Sequence, residues 1–130
     1  MSIPRSLPEV HVFDYGTVIS FEVRNGRNQR VDISSAIVLE ILFMRPDGSG
    51  FAAPAFLGMA PGETFPGSDS GTVPGTDGDA FYIVQPGQID TEGTWYLQLR
   101  VVFTTGQWFS SVITFVVMPN LITPSEILNP

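Results

Sequence analysis

From Thr94 to Phe103 the chain alternates without a break. Trp95, Leu97, Leu99, Val101 and Phe103 take every second place, and Tyr96, Gln98 and Arg100 stand between them. A period of two puts all five large groups on one face of an extended strand, whereas a helix would spread them around its circumference. Thr17 to Arg24 repeats the pattern, with Ile19, Phe21 and Val23 against Ser20, Glu22 and Arg24. No stretch of the 130 residues carries a helical period of useful length. The length suits one domain, large enough to bury a core without disulfides.

Two further strands follow from the same rule. Over Ala36 to Arg45, Ile37, Leu39, Ile41 and Phe43 share one face, and Val38, Glu40, Leu42 and Met44 share the other. Over Trp108 to Val117, Phe109, Ile113, Phe115 and Val117 are expected inside, and Trp108, Ser110, Val112, Thr114 and Val116 outside. Shorter strands are expected at Arg30–Ile33, Phe51–Ala53, Ala55–Met59 and Ala80–Val84. Turn chemistry separates them: Asn25-Gly26, where both residues tolerate positive φ, Arg45-Pro46-Asp47-Gly48, and Thr104-Thr105-Gly106-Gln107. The crossover Gln85 to Gly93 has room for one helical turn at Gln88–Thr91. About seven strands with regular turn signals predict an all-β fold, an immunoglobulin-like antiparallel β-sandwich in architecture. The cysteine and tryptophan spacing of antibody domains is absent.

The remaining segments set the domain plan. Residues 1–13 and 119–130 read as extended arms, because Pro4 and Pro8 interrupt the first and Pro119, Pro124 and Pro130 the second. Neither can bury enough surface to order itself, which makes neighbouring subunits the expected support. The sandwich spans 14–118 and carries a Gly/Pro-rich loop at about 50–79. Gly48 to Gly78 holds eight of the 13 glycines, a density no helix survives. A loop this long points to function or to an interface.

Composition narrows the function. Thirteen acidic residues face six basic ones, all arginine, for a net charge of −7, which argues against nucleic acid or an anionic membrane as partner. The apolar runs Ala36–Leu39 and Ile41–Met44 fall far short of a membrane span, and the N-terminus has no signal-peptide pattern. With no cysteine and His11 as the one histidine, thiolate and multi-histidine metal sites are excluded. Ser68-Asp69-Ser70 matches no nucleophile elbow. Asp77-Gly78-Asp79 reads as a turn rather than a calcium loop, and Asp90 and Glu92 as a capped turn. No catalytic, cofactor or metal residue is assigned, and an enzyme is not expected.

Only 15% of residues are charged, so the surface is expected to be poorly charged or in large part covered by something else. Interface candidates are Val38, Leu42 and Met44 on an apolar outer strand face, and Phe56, Met59 and Phe65 in the long loop. Trp108, outward by parity, and Leu121, Ile122, Ile127 and Leu128 in the last segment complete the set. Trp95 shares the parity of Leu97 and belongs to the core. Exposed Trp108 with Tyr96 would also suit a sugar platform, which keeps a carbohydrate-binding module as one reading.

Several motifs in order resemble a known family. Asp14-Tyr15-Gly16-Thr17-Val18-Ile19 through Phe21-Glu22-Val23, Asn25-Gly26, Val31-Asp32-Ile33-Ser34-Ser35-Ala36 and Arg45-Pro46-Asp47-Gly48 open the pattern. Gly93-Thr94-Trp95-Tyr96-Leu97-Gln98-Leu99 and Gly106-Gln107-Trp108-Phe109-Ser110-Ser111 close it. Together they resemble the Ig-like N-terminal domain of phage baseplate upper proteins and related tailed-phage virion components, over roughly Tyr15 to Val117. The loop at 50–79 is longer than the family's, and no receptor-binding region is expected after Met118. The resemblance implies a virion structural protein, made in the bacterial host cytoplasm, that acts as a tail, baseplate or fibre-attachment adaptor. Its implied partners are other virion structural proteins, in a homo-oligomer or larger assembly. A capsid decoration protein is the nearest alternative.

Overall fold

The structure, a computed structural model, describes residues 2–6, 9–60 and 73–121. Among them there is no helix, and two sheets enclose one core in a sandwich-like all-β fold. Ten strand segments run β1 Ser2–Ser6, β2 Val10–His11, β3 Val18–Val23, β4 Val38–Met44, β5 Gly50–Pro54, β6 Phe56–Leu57, β7 Asp79–Ile83, β8 Gly93–Phe103, β9 Gly106–Phe109 and β10 Ile113–Met118. The smaller sheet has the order β1-β3-β7-β6. The larger has β2-β10-β8-β4-β5, with β9 also paired to β8.

The strongest alternations fold as their period dictates. Trp95, Leu97, Leu99 and Val101 on β8 are buried, as are Ile41 and Phe43 on β4 and Ile19, Phe21 and Val23 on β3. Trp95 centres the core: it meets Phe43 edge-on at 6.4 Å, Phe51 at 6.5 Å and Phe115 at 6.0 Å. Its indole Nε1 donates to the Thr91 carbonyl at 2.8 Å, so the one polar atom of the largest core side chain is satisfied. Arg45 follows Phe43 with the same parity and closes this end of the core. Its guanidinium lies 5.1 Å from the Phe51 ring centre and 5.5 Å from that of Trp95, and its Nε donates to Asp90 Oδ1 at 2.8 Å. That ion pair holds the Asp90 carboxyl below its ordinary range.

Four expectations need correction. The strand segments number ten among the described residues, not about seven, because short edge pieces carry too few residues to show a period. The N-terminal arm is not outside the sandwich: β1 pairs antiparallel with β3, and β2 pairs parallel with β10, burying Val10. Pro4 is tolerated since β1 is an edge, where a missing N–H can face away from the ladder. Gln88–Thr91 forms bends rather than a helical turn. In the loop after β3 the left-handed residue is Asn28 (φ 60°), not Asn25 or Gly26. There the Asn25 side chain accepts the Arg27 and Gln29 N–H groups and organises a five-residue loop between the bridged Arg24 and Arg30, longer than a two-residue turn.

The expected last strand is broken by a bulge. Arg100 lies opposite Phe109 and Leu97 opposite Ile113, so the β9–β10 side holds one residue more than β8. Ser110 sits in the gap, buried. Its N–H donates to the Leu99 carbonyl, and its Oγ accepts the Leu99 N–H at 2.9 Å and donates to the Ser111 carbonyl. The extra residue inverts the parity of β9 relative to β10. Trp108 therefore turns inward and is half-buried, while Phe109 is exposed.

Candidate docking face

The outward face of the larger sheet carries six of the twelve exposed large apolar side chains among the described residues: Val38, Met44, Phe109, Val112, Val116 and Met118. On β4, Val38 and Met44 are 37% and 42% exposed and Leu42 is half-buried between them. Register carries the patch sideways: Met44 lies opposite Tyr96, which lies opposite Thr114, and Leu42 lies between Ala52 and Gln98. Val112, Val116 and Met118 extend it, with Val112 58% exposed. A groove of about 190 Å³ runs between them, lined by Leu42, Met44, Tyr96, Gln98 and Val112.

Charge is nearly absent there. The strand residues contribute Glu40 and Arg100, directly opposite each other, with Arg100 Nη1 donating to Glu40 Oε1 at 2.6 Å. Arg100 Nε also donates to Gln107 at 2.7 Å. The pair neutralises itself, so the face presents no net charge. At the margin His11 Nε2 lies 3.1 Å from Glu9, a contact that raises the histidine pKa. The smaller sheet differs. Glu22 and Asp79 stand opposite each other on its face away from the core, and Arg24 donates to Glu22, with Arg30 3.5 Å from the same carboxylate.

The structure brings Val38, Leu42 and Met44 together on this face and places Phe56, Met59, Trp108 and Leu121 away from it. Phe56 lies on the smaller sheet, stacked on Phe81 at 5.3 Å. Met59 is half-buried after β6, and Leu121 is exposed beyond β10. Trp108 lines a different cleft, of about 260 Å³, with Val23, Val31, Ile33 and Phe103. Phe65, Ile122, Ile127 and Leu128 lie outside the described residues, as do Ser68-Asp69-Ser70 and most of the Gly/Pro-rich loop. Sequence reasoning missed Tyr96, Phe109, Val112, Val116 and Met118 as face residues. The outward parity of Tyr96, Val112 and Val116 was readable, but that of Phe109 was hidden by the bulge.

Among the described residues no group of three or more histidine, aspartate or glutamate side chains is placed to hold a metal ion. Asp77 lies in the turn before β7, and Asp79 is buried at its start. What the arrangement offers is an apolar sheet face with a shallow groove, on which the charges of Glu40 and Arg100 pair with each other. Comparison with protein-family models, curated proteins and solved structures finds no match to this chain.

Proposed function

We propose that this chain is an assembly subunit of a tailed-phage virion, a tail, baseplate or fibre-attachment adaptor that docks through the outer face of its larger sheet. The apolar, charge-neutral patch around Leu42, Met44, Tyr96 and Val112 carries the reading. Complete burial of a fully exposed Leu, Met or Val contributes roughly 1.5–3 kcal/mol, these partly exposed side chains a fraction of that each, and a contiguous exposed patch is a liability for a protein that stays alone. Obligate interfaces have this composition, with charge depleted at the centre.

The phage context comes from the motif order that resembles baseplate upper domains. The strand order supports the immunoglobulin-like part of that reading. One sheet of four, β1-β3-β7-β6, faces one in which the first chain segment returns beside the last strand, β2-β10-β8-β4-β5. On that reading β1-β3-β7-β6 is the four-stranded sheet of the immunoglobulin plan and β10-β8-β4 the three-stranded one, with β2 and β5 as two added edge strands. The sugar-platform reading loses its geometry, since Trp108 turns toward the core and Tyr96 points to the opposite side of the sheet.

The test is fractionation of particles into heads and tails, with the chain located by mass spectrometry, alongside incorporation of a Leu42→Arg variant. Recovery in tails, with the variant folded but excluded, is the expected result. Recovery in heads transfers the reading to capsid decoration. Absence from particles, or normal incorporation of the variant, refutes docking through this face.

A further inference from the structure

The geometry points to a second copy of this chain as the occupant of the docking face, related by a two-fold axis that runs parallel to β4 and β8 and passes between them. The inference rests on the assembly reading and names its partner. Two chains of net charge −7 repel wherever their acidic surfaces meet. The outer face of the larger sheet escapes that penalty, because its Glu40 and Arg100 already cancel.

Those two residues also fix the orientation. Glu40 and Arg100 are register partners on adjacent strands, so they form a dipole lying across the strands. A two-fold axis along the strands reverses this dipole in the facing copy. Glu40 of each copy then lies over Arg100 of the other, and the two dipoles attract. The same operation sets Met44 over Tyr96, Leu42 over Gln98 and Val38 over Val102, since each is a registered pair. An axis across the strands through this row would set Glu40 on Glu40 and Arg100 on Arg100, which the same charges oppose. About the lengthwise axis the face is self-complementary, and such a contact closes at two copies. Face-to-face sheets stand about 10 Å apart, close enough for Met44 and Tyr96 to meet while Val112 and Val116 flank them.

Analytical ultracentrifugation tests this on the full chain. Wild-type protein is expected to dimerise reversibly across the micromolar range, at twice the 14.2 kDa chain mass. Leu42→Arg is expected to be monomeric with an unchanged thermal melt. Glu40→Arg and Arg100→Glu, each alone, are expected to be monomeric, and an equimolar mixture of the two to dimerise, because one copy then carries two arginines and the other two glutamates. Wild-type protein that stays monomeric overturns the inference, and so do single charge variants that dimerise as well as wild type. Peroxide oxidation of Met44 separates this from the broader reading. If free protein is monomeric yet Met44 is shielded in particles, self-pairing falls and docking stands. If free protein is monomeric and Met44 oxidises as readily in particles as in that monomer, the two fall together.

Discussion

Ser110→Ala isolates the hydrogen bond on which the β9–β10 bulge turns. In the native chain the Leu99 N–H has Ser110 Oγ as its acceptor at 2.9 Å, and Leu99 is fully buried. Alanine removes the acceptor without adding bulk, and water has no ready access. The bulge cannot slip away in response, because a one-residue shift would turn the buried Phe115 and Val117 outward and bring Thr114 and Val116 in. The amide is then left without a partner, at a cost of about 1–3 kcal/mol, which outweighs the small gain from deleting a hydroxyl. For a domain of this size the loss lowers Tm by roughly 3–10 °C. Ser111→Ala makes the same chemical change one residue away at an exposed site and is expected to shift stability by less than about 0.5 kcal/mol. Urea unfolding of both variants gives the difference, and amide exchange at Leu99 should accelerate in the first alone. Equal stability of the two variants would falsify the account of the bulge.

Other perturbations probe the rest of the frame. Trp95→Ala should cost about 3–5 kcal/mol, enough to unfold much of the population, whereas Trp108→Ala at its half-buried site should cost clearly less, as paired melting curves will show. Asp90 has a folded pKa below its unfolded value, so its ion pair with Arg45 stabilises the fold at neutral pH. That contribution is lost as pH falls through the lowered folded pKa. Asp90→Asn should therefore flatten the acid limb of the Tm-against-pH profile, and an unchanged limb would refute the link. Gly78 has φ 85°, and a Cβ there would stand 2.7 Å from the Val23 carbonyl and 2.9 Å from that of Val31, so Gly78→Ala should destabilise by about 1–3 kcal/mol in chemical denaturation.

The parts of this fold that were legible in the sequence are those where period alone decides. β3, β4 and β8 are long enough for alternation to name their faces, and Val38, Leu42 and Met44 followed from the apolar outer side of β4. What escaped was local or non-periodic. β1 and β2 owe their place to pairing partners far along the chain, and prolines that argue against a central strand say nothing against an edge. A bulge adds one residue without any mark in the hydrophobic pattern, and Ser110 looked like an ordinary outward polar residue. From that single misplaced parity came the inversion of Trp108 and Phe109. Arg45, read only as the start of a turn, gave no hint that its guanidinium caps two aromatic rings.

The pairing of β2 with β10 bears on how the molecule responds to mechanical load. The two strands run in the same direction, so tension applied through the residues before Val10 and after Met118 pulls them oppositely along their common axis. The bonds between them lie across that axis and share the force, instead of opening one at a time as in a peeled hairpin. The Val12 N–H to the Met118 carbonyl at 3.0 Å and the Asn120 side chain to the Val12 carbonyl at 2.7 Å extend the same seam. A subunit pulled between Glu9 and Asn120 would thus be loaded in shear, with β2 and β10 acting as a clasp whose bonds share the force.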